Sequence, residues 1–321
     1  MVAWWRVLLA FLSLGLLAWT VEPARLVAVL RRADPEPLLA GLVLGLGATL
    51  VAAFLFRRIL LICGLRPTLG RVLAANLAGD FYALSLPGGA AVGGAVRLVR
   101  LAADAREIAR VLAALLANRL QEVGVQLGMA LLALPFVARE LPLPGGLALV
   151  LGSATLAAAV AYAGLFHRDT RRLALAAAGP LFPRGSCRRS RLRRALAALA
   201  VLDHARTLAS HAPSLALSCL RFVLGCLAVV VFSHAIGSPI DLAVAMWVRG
   251  LSAVVLMLPI SIAGLGVREV SFVALLAPFG VPPAHGLALA LLVFATQLLN
   301  ALPGAWLELR GGRGFGVQRP A

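Results

Sequence analysis

The feature of this sequence that most constrains its fold is a succession of long, almost uncharged apolar runs. A helix that crosses the hydrocarbon core of a bilayer, about 30 Å thick, needs about 20 predominantly apolar residues. Six runs predict six spanning helices: 7–21, 38–56, 123–138, 141–166, 222–240 and 284–307. The third span is expected to begin earlier, near Ile108, and to carry Arg119 and Glu122 into the membrane. A signal peptide is the alternative for the first run, but Trp19 and Glu22 stand where a small-residue cleavage motif would follow.

The composition excludes a soluble protein. Hydrophobic residues make up 61% of the chain and charged residues 13%, against about 45–50% and about 25% in a soluble globular domain. No soluble fold can bury this much apolar surface. Cytosolic enzymes, secreted disulfide scaffolds and disordered regulators are therefore excluded, and the chain is predicted to be an all-α polytopic membrane protein.

Basic residues collect on one side of the predicted spans. The chain has 30 Lys+Arg against 13 Asp+Glu, a formal net charge of +17. If the N-terminus is cytoplasmic, the Arg-rich loop 167–206 and the C-terminus also face the cytoplasm, in agreement with the positive-inside rule. Loops on the far face are nearly neutral, except that 25–36 contains Arg31 and Arg32 beside two acidic residues. We therefore expect both termini in the cytoplasm, basic loops that face anionic lipid, and no binding to nucleic acid.

Two further apolar stretches are interrupted by helix-breaking residues. The stretch 70–86 carries polar side chains and then meets Pro87 and several glycines, while 270–307 is far longer than one span requires. The longer stretch is cut at Pro278, Gly280, Pro282 and Pro283. Broken backbone is tolerated at membrane depth only where protein or water satisfies its polar groups. The sequence therefore predicts two re-entrant hairpins, at about 71–100 and about 242–280.

The two predicted hairpins share a short motif. Residues 84–97 and 256–268 both run Leu-x-Leu-Pro, then a glycine pair, then Val-Arg, with a one-residue difference in spacing. Because three spans separate equivalent points, the two halves have opposite orientations, as in many secondary transporters. We predict an inverted repeat with a first half at 1–140, a second at 141–310 and a cytoplasmic tail at 311–321. The predicted hairpin backbone residues are Pro87, Gly93, Gly94, Pro259, Gly264 and Gly266.

Charged and polar side chains at membrane depth are the candidate substrate-binding residues. Arg119 and Glu122 are three residues apart and share a face of the third span. Charges at this depth cost about 2.5–3.5 kcal/mol even on lenient scales and are rarely kept without a partner or a function. Contact with a substrate headgroup and an internal ion pair that fixes helix packing are both open. Asp80 and Asn76, four residues apart, are predicted to line the same cavity or to bond hairpin backbone.

Arg268 and Glu269 follow the glycines of the second hairpin, where a half-helix is expected to begin near Val267. The N-terminal dipole of that half-helix, together with Arg268, would stabilise an anionic phosphate headgroup. Arg97 is the matching candidate in the first hairpin, and Arg249 is a secondary one. The alternative for both hairpin arginines is an interfacial turn with snorkelling side chains.

The sequence contains no recognisable catalytic or metal-binding motif. The five histidines are scattered and the four cysteines form no CxxC pair. No GxSxG, HExxH or nucleotide-binding P-loop occurs. We therefore predict no catalytic residue, no metal and no cofactor, and we expect that the chain is not an enzyme.

The hairpin motifs read Leu-Pro-Gly-Gly…Gly-Gly-x-x-Arg97 and Leu-Pro-Ile-Ser-Ile-x-Gly-Leu-Gly-x-Arg-Glu269. With the spacing of apolar segments over roughly residues 5–310, the chain resembles the lysylphosphatidylglycerol synthase transmembrane region family of flippase-like membrane proteins. The resemblance implies a multi-pass protein of a bacterial or archaeal cytoplasmic membrane that moves, or helps to present, a lipid. The family pattern falls on Pro87, Gly93, Gly94, Arg97, Arg119, Pro259, Gly264, Gly266, Arg268 and Glu269. The aminoacyl-transferase domain of some relatives has no counterpart in these residues, so lysyl-lipid synthesis is not expected.

Three functional hypotheses remain open from the sequence. The first is a translocase that passes an anionic phospholipid or lipid-linked intermediate, by facilitation or by coupling to an ion gradient. The second is a non-transporting membrane subunit that scaffolds a lipid-modifying or glycosyl-transfer enzyme. The third is an intramembrane transferase, for which Glu122 and Glu269 are the plausible acid or base residues.

Overall fold

The structure is a computed structural model that describes residues 23–86, 89–139, 146–166, 210–257 and 266–310. Within these ranges the chain forms ten α-helices and one 3₁₀ turn, Ala277–Phe279. The helices are α1 (Pro23–Arg31), α2 (Pro35–Ile62), α3 (Leu69–Ser85), α4 (Ala90–Leu101), α5 (Ala105–Val137), α6 (Leu147–Phe166), α7 (Ala212–Ala235), α8 (Leu242–Met257), α9 (Val267–Leu276) and α10 (Pro283–Arg310). No strand occurs in the described residues, which confirms the all-α prediction.

Five of the helices are long and apolar enough to cross a membrane, namely α2, α5, α6, α7 and α10. Five of the six predicted spans fall on these helices, and the first, 7–21, lies outside the described residues. Helix α5 begins at Ala105 and includes Arg119 and Glu122, as the extended third span predicts. Helix α7 begins at Ala212, ten residues before the predicted start of the fifth span, and so takes Arg221 into its interior. The chain is thus a multi-pass helical protein.

Short-range hydrogen bonds fix where the long helices begin. Asp34 caps α2 by accepting the Glu36 N–H at 3.1 Å, with Pro35 in the first turn. Asp104 caps α5 by accepting the Glu107 N–H at 2.7 Å, and Glu107 in return accepts the N–H of Ala103. Such caps satisfy N–H groups that have no partner within the helix. The polar residues between the apolar runs therefore define the helix boundaries.

The two predicted hairpin regions, at about 71–100 and about 242–280, each contain a pair of shorter helices. Helices α3 and α4 meet at a break that ends at Gly89, whose φ of +50° lies in the region that only glycine adopts easily. Helices α8 and α9 flank a break that ends at Gly266, where φ is +81°. The second pair confirms the expected start of a half-helix at Val267. The α3–α4 pair packs so closely that a Cβ atom on Gly93 would lie 2.5 Å from the carbonyl oxygen of Gly79.

Each helix pair packs against a long helix of the other half of the sequence. Helix α3 lies against α10, and α8 lies against α5, while α2 and α7 form the most extensive contact of all. The hydrogen bond from Asp34 N–H to the Ala235 carbonyl, 2.9 Å, places the start of α2 beside the end of α7. Helices α2 and α7 are therefore antiparallel. One buried core centres on Phe232 and Trp247, and a second on Ile59.

Small residues allow these cross-contacts to be close. A Cβ atom on Gly250 of α8 would lie 2.7 Å from the Cβ atom of Ala130 and 2.7 Å from the Gln126 carbonyl oxygen, both on α5. A Cβ atom on Gly304 of α10 would overlap the backbone of Leu77 and Ala78 on α3. In lipid there is little hydrophobic force between helices, so close backbone packing is a major source of their association.

We predict that Gly250→Ala and Gly304→Ala each destabilise the protein, because the added methyl group meets backbone atoms that cannot rotate away. The expected loss is about 1–3 kcal/mol of unfolding free energy, the usual effect of overpacking. Gly47→Ala on α2 is the matched control, since no atom lies within 4 Å of a Cβ atom placed there. Unfolding of each variant in mixed detergent micelles would measure the effect. Equal stability of all three variants would contradict the close contacts.

Candidate functional site

A polar cavity of about 160 Å³ lies inside the helical bundle. It is bounded by α2, α5, α7, α8 and α10, which come from both halves of the sequence. Its polar lining consists of Thr49, Glu122, Gln126, Ser218, Arg221, Arg249, Thr296, Gln297 and Asn300. We call this space the central cavity. A cluster of charged and amide side chains within apolar helices is a candidate functional site, because such groups are costly at membrane depth.

The carboxylate of Glu122 is the most heavily bonded group of the central cavity. Glu122 lies near the middle of α5 and has a side chain that is 14% exposed. Arg221 of α7 donates a hydrogen bond from Nη1 to Glu122 Oε1, and Asn118 donates from Nδ2 to the same oxygen at 3.0 Å. Arg119 lies one turn before Glu122, with 3.6 Å between Nη1 and Oε2. The ion pair with Arg221 links α5 to α7 and neutralises one positive charge of the lining.

Arg249 of α8 supplies a positive charge that no carboxylate in the described residues neutralises through an ion pair. Its guanidinium group lies over Gly225 of α7, where a Cβ atom would come within 2.7 Å of Nη2. Its Nε atom is buried and has no hydrogen-bond partner among the described residues. Within the described part of the chain, the charged residues of the lining are two arginines and one glutamate. The central cavity therefore carries an excess of one positive charge, which favours an anionic ligand.

The first helix pair holds its own compensated charges. Arg97 of α4 donates from Nη2 to Asp80 Oδ1 of α3 at 2.5 Å. Next to it, Arg100 is paired with Glu308 of α10, and Tyr82 donates its hydroxyl hydrogen to Glu308 Oε2 at 3.3 Å. These bonds join α3, α4 and α10 at one end of the bundle. The positive charges of this pair are therefore used within the fold.

The Arg268–Glu269 motif is engaged in local structure. Glu269 accepts the Gly266 N–H at 2.6 Å through Oε2 and so caps the start of α9. Arg268 is only 5% exposed and lies over the ring of Phe294, with 5.3 Å from Cζ to the ring centroid. Neither residue lines the central cavity. The second motif thus organises the α8–α9 break and its contact with α10.

The structure brings together only some of the predicted substrate-binding residues. Glu122 lines the central cavity and Arg119 contacts Glu122, whereas Asp80 and Arg97 pair with each other outside the lining. Asn76 is buried on α3 and also lies outside the lining.

Among the predicted hairpin residues, Gly93 makes a close contact, Gly266 has positive φ, and Gly94 faces open space. Pro87, Pro259 and Gly264 lie outside the described residues.

Sequence reasoning missed Arg221 as a candidate. The predicted fifth span begins at 222, so Arg221 is read as a residue that flanks the membrane. In the structure it is the tenth of 24 residues of α7. The signal that could have found it is the apolar segment on both sides of this arginine, since a charged residue inside a span is a functional candidate by default.

Within the described residues, no group of three or more His, Cys, Asp and Glu side chains is placed to hold a metal ion.

A bundle of apolar helices around a charged cavity defines this chain as a polytopic helical membrane protein. The family model described as "Lysylphosphatidylglycerol synthase TM region" matches residues 3–304, nearly the whole chain. The protein therefore belongs to this family, as the hairpin motifs indicate. No curated protein matches the chain at a significant level.

We predict that the Glu122–Arg221 pair is energetically coupled, whereas the Glu122–Arg119 pair is not. Glu122 is shielded from solvent and bonded to Arg221, while the Arg119 side chain is 49% exposed and its nitrogen is 3.6 Å from the carboxylate. A double-mutant cycle with Glu122→Gln and Arg221→Gln should give about 1–3 kcal/mol. The same cycle with Arg119→Gln is the control and should give less than about 1 kcal/mol.

Unfolding in mixed detergent micelles would supply the free energies for both cycles. A coupling energy for Arg221 no larger than that for Arg119 would contradict the assignment of the cavity ion pair.

Proposed function

We propose that the protein is a lipid translocase that binds an anionic phospholipid or lipid-linked headgroup in the central cavity. The observation that carries this proposal is the unneutralised charge of Arg249 beside the Glu122–Arg221 pair. A guanidinium group forms strong, charge-assisted hydrogen bonds to phosphate oxygens. The amide groups of Gln126, Gln297 and Asn300 surround the same space and can donate further bonds.

The size of the central cavity suits part of a lipid. Its volume of about 160 Å³ is smaller than the roughly 300–1,000 Å³ of pockets that enclose drug-sized molecules. A compact headgroup fragment such as a phosphate ester fits this space, while the acyl chains remain in the surrounding bilayer. The proposal therefore assigns the cavity to the headgroup only.

The proposed architecture has six spans, two re-entrant hairpins formed by α3–α4 and α8–α9, and an inverted repeat with both termini in the cytoplasm. A two-fold relation between the halves places α3 on α8 and α10 on α5, and so turns the contact between α3 and α10 into the contact between α8 and α5. Both contacts occur in the structure, which supports the proposed repeat. The alignment that places Leu84 on Leu256 also places Ala78 on Gly250, since both pairs are 172 residues apart. Ala78 and Gly250 are the residues at which α3 and α8 meet their long helices.

A headgroup path through the bundle follows from this architecture. Inverted repeats in transporters place the binding site near the bilayer midplane, between the two halves. The central cavity takes residues from α2 and α5 of the first half and from α7, α8 and α10 of the second. Movement of one half against the other would expose such a site to each leaflet in turn. The membrane in the proposal is the bacterial or archaeal cytoplasmic membrane that the hairpin motifs suggest.

The proposal includes no chemical step. Of the two glutamates that could serve an intramembrane transferase, Glu269 accepts the Gly266 N–H and Glu122 is held by Arg221 and Asn118. The local bonding therefore supports a binding and translocation role over an acid–base role.

We predict that Arg249→Gln slows lipid translocation by about tenfold or more, since a lost charge-assisted hydrogen bond costs about 1.5–3 kcal/mol and each 1.4 kcal/mol corresponds to a factor of ten. The assay uses proteoliposomes that contain fluorescent phosphatidylglycerol and measures the fraction of the label that a membrane-impermeant quencher reaches. Fluorescent phosphatidylcholine, which has no net charge, forms the second arm.

Arg139→Gln is the matched control, because Arg139 is exposed at the end of α5 and lies outside the cavity lining. Wild-type protein and this control should move phosphatidylglycerol faster than protein-free vesicles do. An Arg249→Gln variant that folds and translocates at the wild-type rate would refute the cavity site. If the wild type moves neither lipid, the result favours the non-transporting scaffold for a lipid-modifying or glycosyl-transfer enzyme.

A further inference from the structure

A second and larger cavity, of about 700 Å³, opens at the end of the bundle where α7 ends and α10 begins. Its lining includes Arg25 of α1, Arg32 in the turn after α1, His234 of α7 and His285 of α10. We call it the outer cavity. It lies at the opposite end of α7 from Ala212, where that helix begins.

The position of the outer cavity gives a reason for the arginines of 25–36, which are an exception to the positive-inside pattern. Helices α2 and α7 are antiparallel, so Arg57 and Arg58 near the end of α2 lie at the same end of the bundle as the start of α7. The basic residues of α1 and of the turn after it lie at the other end, where the positive-inside rule predicts few arginines. Two of them, Arg25 and Arg32, line the outer cavity. Their location suggests a ligand rather than a role in orientation.

The lining of the outer cavity has the chemistry of an anion site. Among the residues that the structure describes, this lining contains two arginines and two histidines and no carboxylate. Arg32 makes no ion pair with a carboxylate of the described residues, and the carboxylate of nearby Asp34 accepts the Glu36 N–H. The Nδ1 atom of His285 is buried without a hydrogen-bond partner in the same part of the chain.

The start of α10 adds a second source of positive potential. Pro283 and His285 occupy the first turn of this 28-residue helix, and both line the outer cavity. The N-terminus of a helix carries about half a positive charge, which stabilises phosphate groups near it. The helix dipole and the Arg32 side chain therefore act on the same space.

We infer that the outer cavity binds a phosphate-bearing group, either the headgroup of a lipid in the adjacent leaflet or a soluble phosphate. This site stands on its own lining, whereas its use as a second station for a translocated headgroup rests on the proposed function. The two cavities are stacked along α10, since His285 of the outer cavity and Val293 of the central cavity are eight residues apart, or about 12 Å.

A packed layer separates the two cavities. Phe232 is 1% exposed, lines the central cavity and presses its ring against Gly41 of α2. His234, two residues further along α7, lines the outer cavity. On α10 the residues between the cavities include Ala288 and Leu289, which are fully buried. The outer site is thus closed off from the central one and can be tested separately.

The test measures binding to the full chain with the Arg249→Gln substitution, which removes the central site from the measurement. Isothermal titration calorimetry in detergent is run with two probes, inorganic phosphate and a short-chain soluble phosphatidylglycerol. We expect binding of at least one probe to be weakened tenfold or more by the further substitution Arg32→Gln. Arg31→Gln is the matched control, because Arg31, the last residue of α1, is exposed like Arg32 but does not line the outer cavity.

The two probes distinguish the source of the ligand. Binding of phosphatidylglycerol alone identifies a lipid headgroup site, and equal binding of inorganic phosphate identifies a site for soluble phosphate. His285→Asn, which keeps an uncharged polar side chain, should also weaken binding and provides a second variant if Arg32→Gln affects folding. Unchanged binding of both probes in Arg32→Gln and His285→Asn would overturn the inference, whatever the translocation assay gives for the central cavity.

Discussion

The ion pair between Glu122 and Arg221 is the interaction on which the interior of this protein depends. A carboxylate inside a bundle of apolar helices loses most of its hydration, and leaving it unpaired would cost several kcal/mol. Arg221 and Asn118 replace that hydration with hydrogen bonds. Since the two charges come from α5 and α7, the pair also fixes the distance between these helices. The central cavity lies beside this ion pair, and both Glu122 and Arg221 line it.

Close backbone contact provides the complementary constraint. The helix pairs can lie against α5 and α10 only because Gly250 and Gly304 have no side chain to separate the backbones. Within the first pair, Gly79 and Gly93 have the same role. In a bilayer, lipid tails are as apolar as leucine side chains, so packing and interhelical bonds must hold the helices together. Small residues at the helix contacts and a few ion pairs therefore hold the helices together, which is the role of the hydrophobic core in a water-soluble protein.

Five of the six predicted spans and the starts of the shorter helices could be predicted from the sequence, because bilayer thickness and the chemistry of proline and glycine act over short segments. The start of α9 at Val267 was predictable for the same reason. The cavity was not, since its lining comes from five helices that are distant in the sequence. Arg221 was missed because the fifth span was placed on the uninterrupted apolar run that follows this arginine. The first turns of α7, which precede Arg221, were therefore left out of the predicted span. Arg268 and Glu269 are residue types that often bind ligands, but in the structure Glu269 caps the helix to which it belongs.

Two arginines of the first helix pair form structural ion pairs, whereas the two arginines that we propose as ligand-binding residues form none within the described part of the chain. Arg97 and Arg100 are neutralised by Asp80 and Glu308, and each pair joins neighbouring helices. Arg249 and Arg32, in contrast, form no ion pair with a carboxylate of the described residues, and each lines a cavity. The half-buried guanidinium group of Arg249 is unfavourable without a counter-charge unless a ligand supplies that charge for part of the time. Arg32 is exposed, and its place in the lining of the outer cavity, rather than burial, makes it a candidate. These two arginines line the two spaces stacked along α7 and α10, where an anionic headgroup would provide a counter-charge.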